Sequence, residues 1–154
     1  MIDVSTRVQL EALNAEFAWL IDRGDSSLVA ELFTEDGVYE RSTGQASRGR
    51  AELRLAYAGR AAAGPRTSRH IYTNFRFEAM DERRVRGSCI LTLFAENGEP
   101  PLPAEPLLVA DYDDEYLLDK DGQWRFLSRR VTWIFRNPKR QDGGGLPLGG
   151  QLAQ

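Results

Sequence analysis

The chain has 154 residues (17.4 kDa), 42% of them hydrophobic and 28% charged, which indicates one compact domain and argues against both disorder and a second domain. Twenty Lys plus Arg against 23 Asp plus Glu leave a net charge of −3, so neither nucleic acid nor an anionic membrane is expected as the main partner. No apolar run approaches the ~20 residues of a membrane span, and Met1 to Arg7 lacks the apolar core of a signal peptide, so the expected compartment is the cytoplasm.

From Thr6 to about Arg23, Val8, Leu10, Leu13, Phe17, Leu20 and Ile21 recur at spacings of three and four, and Thr6 with Gln9 forms a capping-box pattern, so a helix with one apolar face is expected. Gly24 ends it and Asp25 is placed to cap a second helix, with Leu28, Val29, Leu32 and Phe33 at helical spacing until Thr34-Glu35-Asp36-Gly37 breaks the pattern. Val38 to Arg41 reads as a short strand followed by a polar loop, and Arg50 to about Ala63 as a third helix stopped by Gly64-Pro65. The period then changes. Thr67 to Glu78, Arg84 to Ala95, Leu107 to Leu118 and Gln123 to Phe135 are rich in β-branched and aromatic residues, and read as four strands of an antiparallel meander. Four prolines between Glu96 and Pro106 make that segment a long loop. Residues 1–136 are expected to form the domain and 137–154 a flexible tail, which contains three consecutive glycines after Gln141. Helices first and strands afterwards indicate an α+β fold, a curved and mainly antiparallel sheet wrapped around the helices, with a pocket between the two.

Few side chains are available for chemistry. One cysteine, Cys89, leaves no internal disulfide, and one histidine, His70, leaves no zinc site of the usual His/Cys kind. Lys120 and Lys139 are the only lysines, and neither looks activated for Schiff-base chemistry. No glycine-rich phosphate loop and no nucleophile elbow is present, so no metal and no cofactor is expected. Strand alternation puts His70, Tyr72 and Asn74 on one face and Ile71, Thr73 and Phe75 on the other. His70 is either a hydrogen-bonded histidine at a sheet surface or a general base. Asp22 shares a helix face with Phe17, Leu20 and Ile21; it either pairs locally with Arg23 or meets His70 and holds its tautomer.

On the third long strand Asp111, Asp113 and Glu115 alternate on one face, and Tyr112, Asp114 and Tyr116 on the other. Such acids activate water in some enzymes, but on a strand they more often form a solvated edge. Tyr39, Tyr57 and Tyr72 are either donors to a substrate oxygen or packing residues, Trp19, Trp124 and Trp133 read as core or pocket wall, and Cys89 as a small buried hydrophobe.

The order of elements and several phrases resemble the SnoaL-like branch of the nuclear transport factor two-like superfamily, whose fold is a cystatin-like α+β cone. Those phrases are Leu20-Ile21-Asp22-Arg23-Gly24-Asp25 with Leu32-Phe33, Gly37-Val38-Tyr39, Gly49-Arg50-Ala51-Glu52-Leu53, Arg69-His70-Ile71-Tyr72-Thr73-Asn74, and Asp121-Gly122-Gln123-Trp124-Arg125-Phe126. Together they cover roughly residues 5–135. Asp22 and His70 fall where scytalone dehydratase and hexachlorocyclohexane dehydrochlorinase have a proton-abstracting Asp-His dyad. Ile21 and Ala95 stand at the places of a dehydratase tyrosine and a second histidine, and Phe17 and Ser68 at those of the dehydrochlorinase's lysine and cysteine, so neither substrate is implied. The ketosteroid isomerase oxyanion hole and the epoxide hydrolase Arg-x-Asp strand motif are not evident. Leu53 to Asn74 also resembles the small subunit of ring-hydroxylating dioxygenases, which is not catalytic.

The leading expectation is a cofactor-independent lyase or isomerase acting on a small hydrophobic cyclic or aromatic molecule. In it His70 abstracts a proton, Asp22 orients the imidazole, and Tyr39, Tyr57, Tyr72, Trp19, Asn74 and Asp113 contact the substrate. The competing expectation is a non-catalytic ligand-binding or dioxygenase small-subunit-like domain, favoured by a filled or closed cone. A homodimer is expected, with a trimer as the alternative.

Overall fold

In a computed structural model, residues 1–140 are described; the tail beginning at Gln141 lies outside the described residues. Helix α1 (Val4–Asp22) is followed by a 3-10 helix (Ser26–Leu32), strands β1 (Phe33–Glu40) and β2 (Ala46–Arg48), helix α2 (Gly49–Ala62) and four long strands. These are β3 (Arg66–Ala79), β4 (Arg84–Asn97), β5 (Leu108–Leu118) and β6 (Trp124–Arg136). The α+β arrangement is as expected: three helices pack against one six-stranded curved sheet of order β2-β1-β6-β5-β4-β3. Only β1 against β6 is parallel.

Local chemistry explains the boundaries. The N-cap of α1 is Asp3, whose carboxylate accepts the Thr6 N–H at 2.9 Å, so the helix starts before the expected Thr6–Gln9 box. Asp25 caps the 3-10 helix by accepting the Ser27 N–H. The expected break at Thr34–Gly37 is instead the start of β1, which reaches β6 through an irregular stretch between Phe33 and Val38. Glycine is required there, because a Cβ on Gly37 would lie 2.8 Å from Phe33 Cβ and 3.0 Å from the carbonyls of Phe126 and Thr34. At the other end of the domain, Asn137 donates its backbone N–H to Leu107, and Arg140 pairs with Glu96, so the chain stays bound to the β4–β5 loop past residue 136.

The core lies between α1 and the concave face of the sheet. Leu10, Phe17 and Leu20 of α1 pack with Phe33, Tyr112, Tyr116 and Phe126. Within it sits a buried ion pair. Arg129 donates Nε to Asp114 Oδ1 at 2.9 Å and Nη2 to Asp114 Oδ2 at 2.8 Å, and both side chains are fully buried. Asn14 of α1 accepts from the same Nη2 and donates to the Tyr116 hydroxyl, which in turn donates to Asp114. Aromatic faces enclose the guanidinium, with ring centroids of Tyr112, Phe126 and Phe17 at 4.0, 4.1 and 4.6 Å. Because Tyr112 and Phe17 also line the cavity described next, this network fixes part of its wall.

Candidate active site

A cavity of about 200 Å³ opens between α1, α2 and the sheet. Its apolar wall includes Phe17, Ile21, Leu91, Leu93, Val131 and Trp133, and its polar wall includes Ser68, His70, Tyr39 and Tyr57.

Asp22 is the last residue of α1, and β3 passes beside it. Its Oδ1 lies 2.7 Å from His70 Nδ1, its Oδ2 accepts the His70 backbone N–H at 2.7 Å, and the Ser68 hydroxyl donates to Oδ1 at 2.6 Å. The side chains of Asp22 and His70 are only 6% and 10% exposed. Burial raises the Asp22 carboxyl, but hydrogen bonds from the His70 ring, the Ser68 hydroxyl and the His70 backbone, together with the ring's charge, outweigh it and hold the group below its usual range. An ionised carboxylate accepts, so Nδ1 carries the proton and Nε2 is the basic nitrogen. No residue among those described takes Nε2 as a partner. Asp22 therefore meets His70 across the fold rather than Arg23, whose guanidinium stacks on Trp19 at 4.5 Å.

Two of the three expected tyrosines stand in the wall. Burial raises the Tyr39 hydroxyl above its ordinary pKa and the Tyr57 hydroxyl well above it, so both are neutral donors near pH 7. Tyr39 interacts with the Tyr112 hydroxyl, whereas the Tyr57 hydroxyl has no protein hydrogen-bond partner among the described residues. Tyr72 does not reach the cavity; it packs between Tyr112 and Phe75, with ring centroids at 5.8 and 6.4 Å, and its buried hydroxyl is unpartnered.

The other expected contacts fall outside the cavity. Trp19 points outward and is 50% exposed. Asn74 is exposed with φ +57°, in a bulge between Thr73 and Arg76 that swaps the faces of β3, so Phe75 and Phe77 follow His70 and Tyr72 inward. Asp113 lies on the solvent face of β5; the alternation is as expected, but the acid that turns inward is Asp114. Cys89 is buried, and its thiol is pushed up to about 12, which leaves it unreactive. Among the described residues no three His, Cys, Asp or Glu side chains cluster to hold a metal, and no helix is long and apolar enough to cross a membrane.

Sequence reasoning missed Ser68, Arg41 and Arg60. Ser68 was accessible by parity, two residues before His70 on the same strand face. Arg41 and Arg60 stand in the wall because of packing between a hairpin and the last turn of α2, which no local pattern encodes.

The family model of the SnoaL-like domain matches residues 3–130. The chain belongs to the SnoaL-like family. Its fold is that of cystatin-like, nuclear transport factor two-like proteins. A cystatin-like protein of unknown function from Nostoc punctiforme is 19% identical, with 91% of this chain and 97% of that one covered at a TM-score of 0.73. A Novosphingobium aromaticivorans protein provisionally assigned as a scytalone dehydratase is 17% identical, with 87% of each chain covered at a TM-score of 0.76. ActVI-ORFA of Streptomyces coelicolor is also 17% identical, with 88% of this chain and 100% of that one covered at a TM-score of 0.75. No curated protein matches the sequence.

Proposed function

We propose that this SnoaL-like domain is a cofactor-independent lyase or isomerase in which His70 is the general base. The observation that carries the reading is the 2.7 Å contact between His70 Nδ1 and Asp22 at the cavity wall, which leaves Nε2 as the nitrogen able to accept a proton. Nε2 removes a proton from a carbon beside a carbonyl, and the C–H electron pair moves onto the carbonyl oxygen as an enolate. The neutral Tyr57 hydroxyl is the donor available to that oxygen. Asp22 stabilises the imidazolium so formed. In an elimination the enolate expels a group from the β carbon and Nε2–H protonates it; in an isomerisation Nε2–H returns the proton at another carbon.

Size narrows the substrate. A cavity of about 200 Å³ is smaller than typical drug-sized sites, which start near ~300 Å³, and it suits one or two rings better than a four-ring steroid. The wall is apolar on the side of Leu91, Leu93 and Trp133, in keeping with a cyclic or aromatic ligand. A filled cone would have left no room for a small molecule; the open cavity supplies that room, and the Asp22–His70 contact in its wall is what favours catalysis over binding alone.

The test is proton exchange. A panel of one- and two-ring ketones, with and without a carboxylate substituent, is incubated with the protein in D2O, and loss of the α-proton signal is followed by NMR. The reading requires exchange by the wild-type protein that His70→Gln abolishes; no exchange, or exchange that survives in His70→Gln, overturns it. The homodimer belongs to the same reading, and sedimentation equilibrium giving twice the 17.4 kDa chain mass tests it.

A further inference from the structure

Among the described residues, every ionisable side chain lining the cavity apart from His70 and the tyrosines is an arginine: Arg41, Arg60 and Arg66 are present, and no Asp or Glu is. This runs against the chain as a whole, in which acids outnumber bases 23 to 20. Two arginines outside the wall have carboxylate partners, Arg130 with Glu40 at 2.8 Å and Arg140 with Glu96. Arg41 and Arg60 have none among the described residues. Arg41 follows directly after β1, its backbone closed into a tight turn by hydrogen bonds to Gln45 and Gly44. It donates one Nη2 bond to Ser47 at 2.8 Å, and its Nε is buried with no partner. Arg60 lies in the last turn of α2; desolvation lowers its pKa and no acid opposes the shift. Arg66, the third, donates to Asn97.

Two guanidiniums in a partly desolvated wall without a counter-charge are costly unless a ligand supplies one. The α2 C-terminus brings a partial negative charge of only about half a unit to this end of the cavity, so a positive excess remains for an anionic ligand to offset. Planar guanidinium donors match a carboxylate. We propose that the substrate is a one- or two-ring molecule bearing a carboxylate, which Arg41 and Arg60 hold while its ring lies on the apolar wall. This names the substrate class of the site described above and rests on its assignment as a catalytic pocket. Arg41 and Arg60 are then specificity-determining residues: they select acids over neutral isosteres and position the ring before His70.

Calorimetric titration of the full chain with 2-naphthoate and with its neutral isostere 2-naphthamide tests this. A charge-assisted pair in a partly buried site corresponds to about ten-fold in affinity or more. The expected result is that 2-naphthoate binds at least about ten-fold tighter, that Arg41→Gln and Arg60→Gln each cut the preference, and that 2-naphthamide binding is unchanged in both. Circular dichroism confirms that each variant is folded, and Arg60→Lys serves as a second variant, expected to keep part of the preference through its charge. Equal affinities in the wild-type protein, a preference that survives both Gln variants, or failure of both probes to bind overturns the proposal. The preference is expected to persist in His70→Gln, which separates it from the general-base reading: absent proton exchange sinks the base, whereas absent acid preference sinks the carboxylate.

Discussion

Asp22 accepts two donations from a single residue: the backbone N–H of His70 reaches its Oδ2 and the imidazole Nδ1 faces its Oδ1, each at 2.7 Å. One carboxylate thus ties the end of α1 to β3 and orients the ring, and the two roles respond differently to substitution.

Replacing the ring leaves the tie. His70→Gln keeps the backbone N–H bond to Asp22, so its melting temperature should lie within a few degrees of the wild type, while turnover on any substrate found by exchange should fall by about 10²–10⁴-fold. Thermal denaturation and exchange kinetics on the same preparation check both halves.

Replacing the acid by its amide weakens the tie and releases the tautomer. In Asp22→Asn the amide can donate as well as accept, so the proton of neutral His70 is no longer confined to Nδ1. Nitrogen-15 NMR of the only imidazole should report Nδ1–H in the wild-type protein and a mixture in the variant. The same variant alters acid stability. The folded Asp22 carboxyl lies below its ordinary value, so its contribution is present above the unfolded pKa of ~3.9 and lost as the pH falls through the lower folded value. Urea denaturation between about pH 6 and pH 2 should show this loss in the wild-type protein and a flatter profile in Asp22→Asn.

Breaking the buried pair should cost far more than any surface ion pair. Arg129→Met leaves Asp114 with Tyr116 as its hydrogen-bond partner in a dry core, and a loss of about 3–5 kcal/mol is expected from chemical denaturation. The double variant Arg129→Met with Asp114→Leu should recover part of that loss, because no uncompensated charge then remains buried.

Gly37→Ala should destabilise by about 1–3 kcal/mol, since the new methyl meets backbone carbonyls that cannot rotate away. Gly44, with nothing within 4 Å of an added Cβ but a φ of +86°, isolates the separate cost of the left-handed backbone.

Cys89 should not react with a disulfide reagent in the native protein and should react fully in denaturant, as its burial and raised thiol pKa require. Spectrophotometric thiol counting in the two conditions is sufficient.

Periodicity carried much of the architecture. The four long strands and the three helical segments were legible, the strands because alternation persists over 11 to 14 residues; Asp22 and His70 were legible as a candidate pair through two distant phrases, but their contact depends on packing across 48 residues and was not. Irregularities were not legible. Alternation placed Asn74 beside His70, but one extra residue in β3 turns it to solvent, and such a bulge leaves no mark in hydrophobic pattern. Parity on β5 was right, yet it could not say which face was inside; the deciding partner, Arg129, lies on the next strand, where a bulge brings both Phe126 and Arg129 inward. Trp19 went outward because Arg23 offered it a cation and the α1 stripe was already filled by Phe17 and Leu20. The arginines of the cavity wall depend on how a hairpin and a helix end converge, a tertiary fact with no local signature.

The double grip of Asp22 sets the order in which this domain can lose parts. An imidazole can be discarded at position 70 with the helix still fastened, because the fastening uses main chain that any residue supplies. The acid cannot be discarded so cheaply. Position 70 can therefore vary while α1 stays pinned to β3, whereas position 22 carries both the fastening of the helix and the setting of the ring.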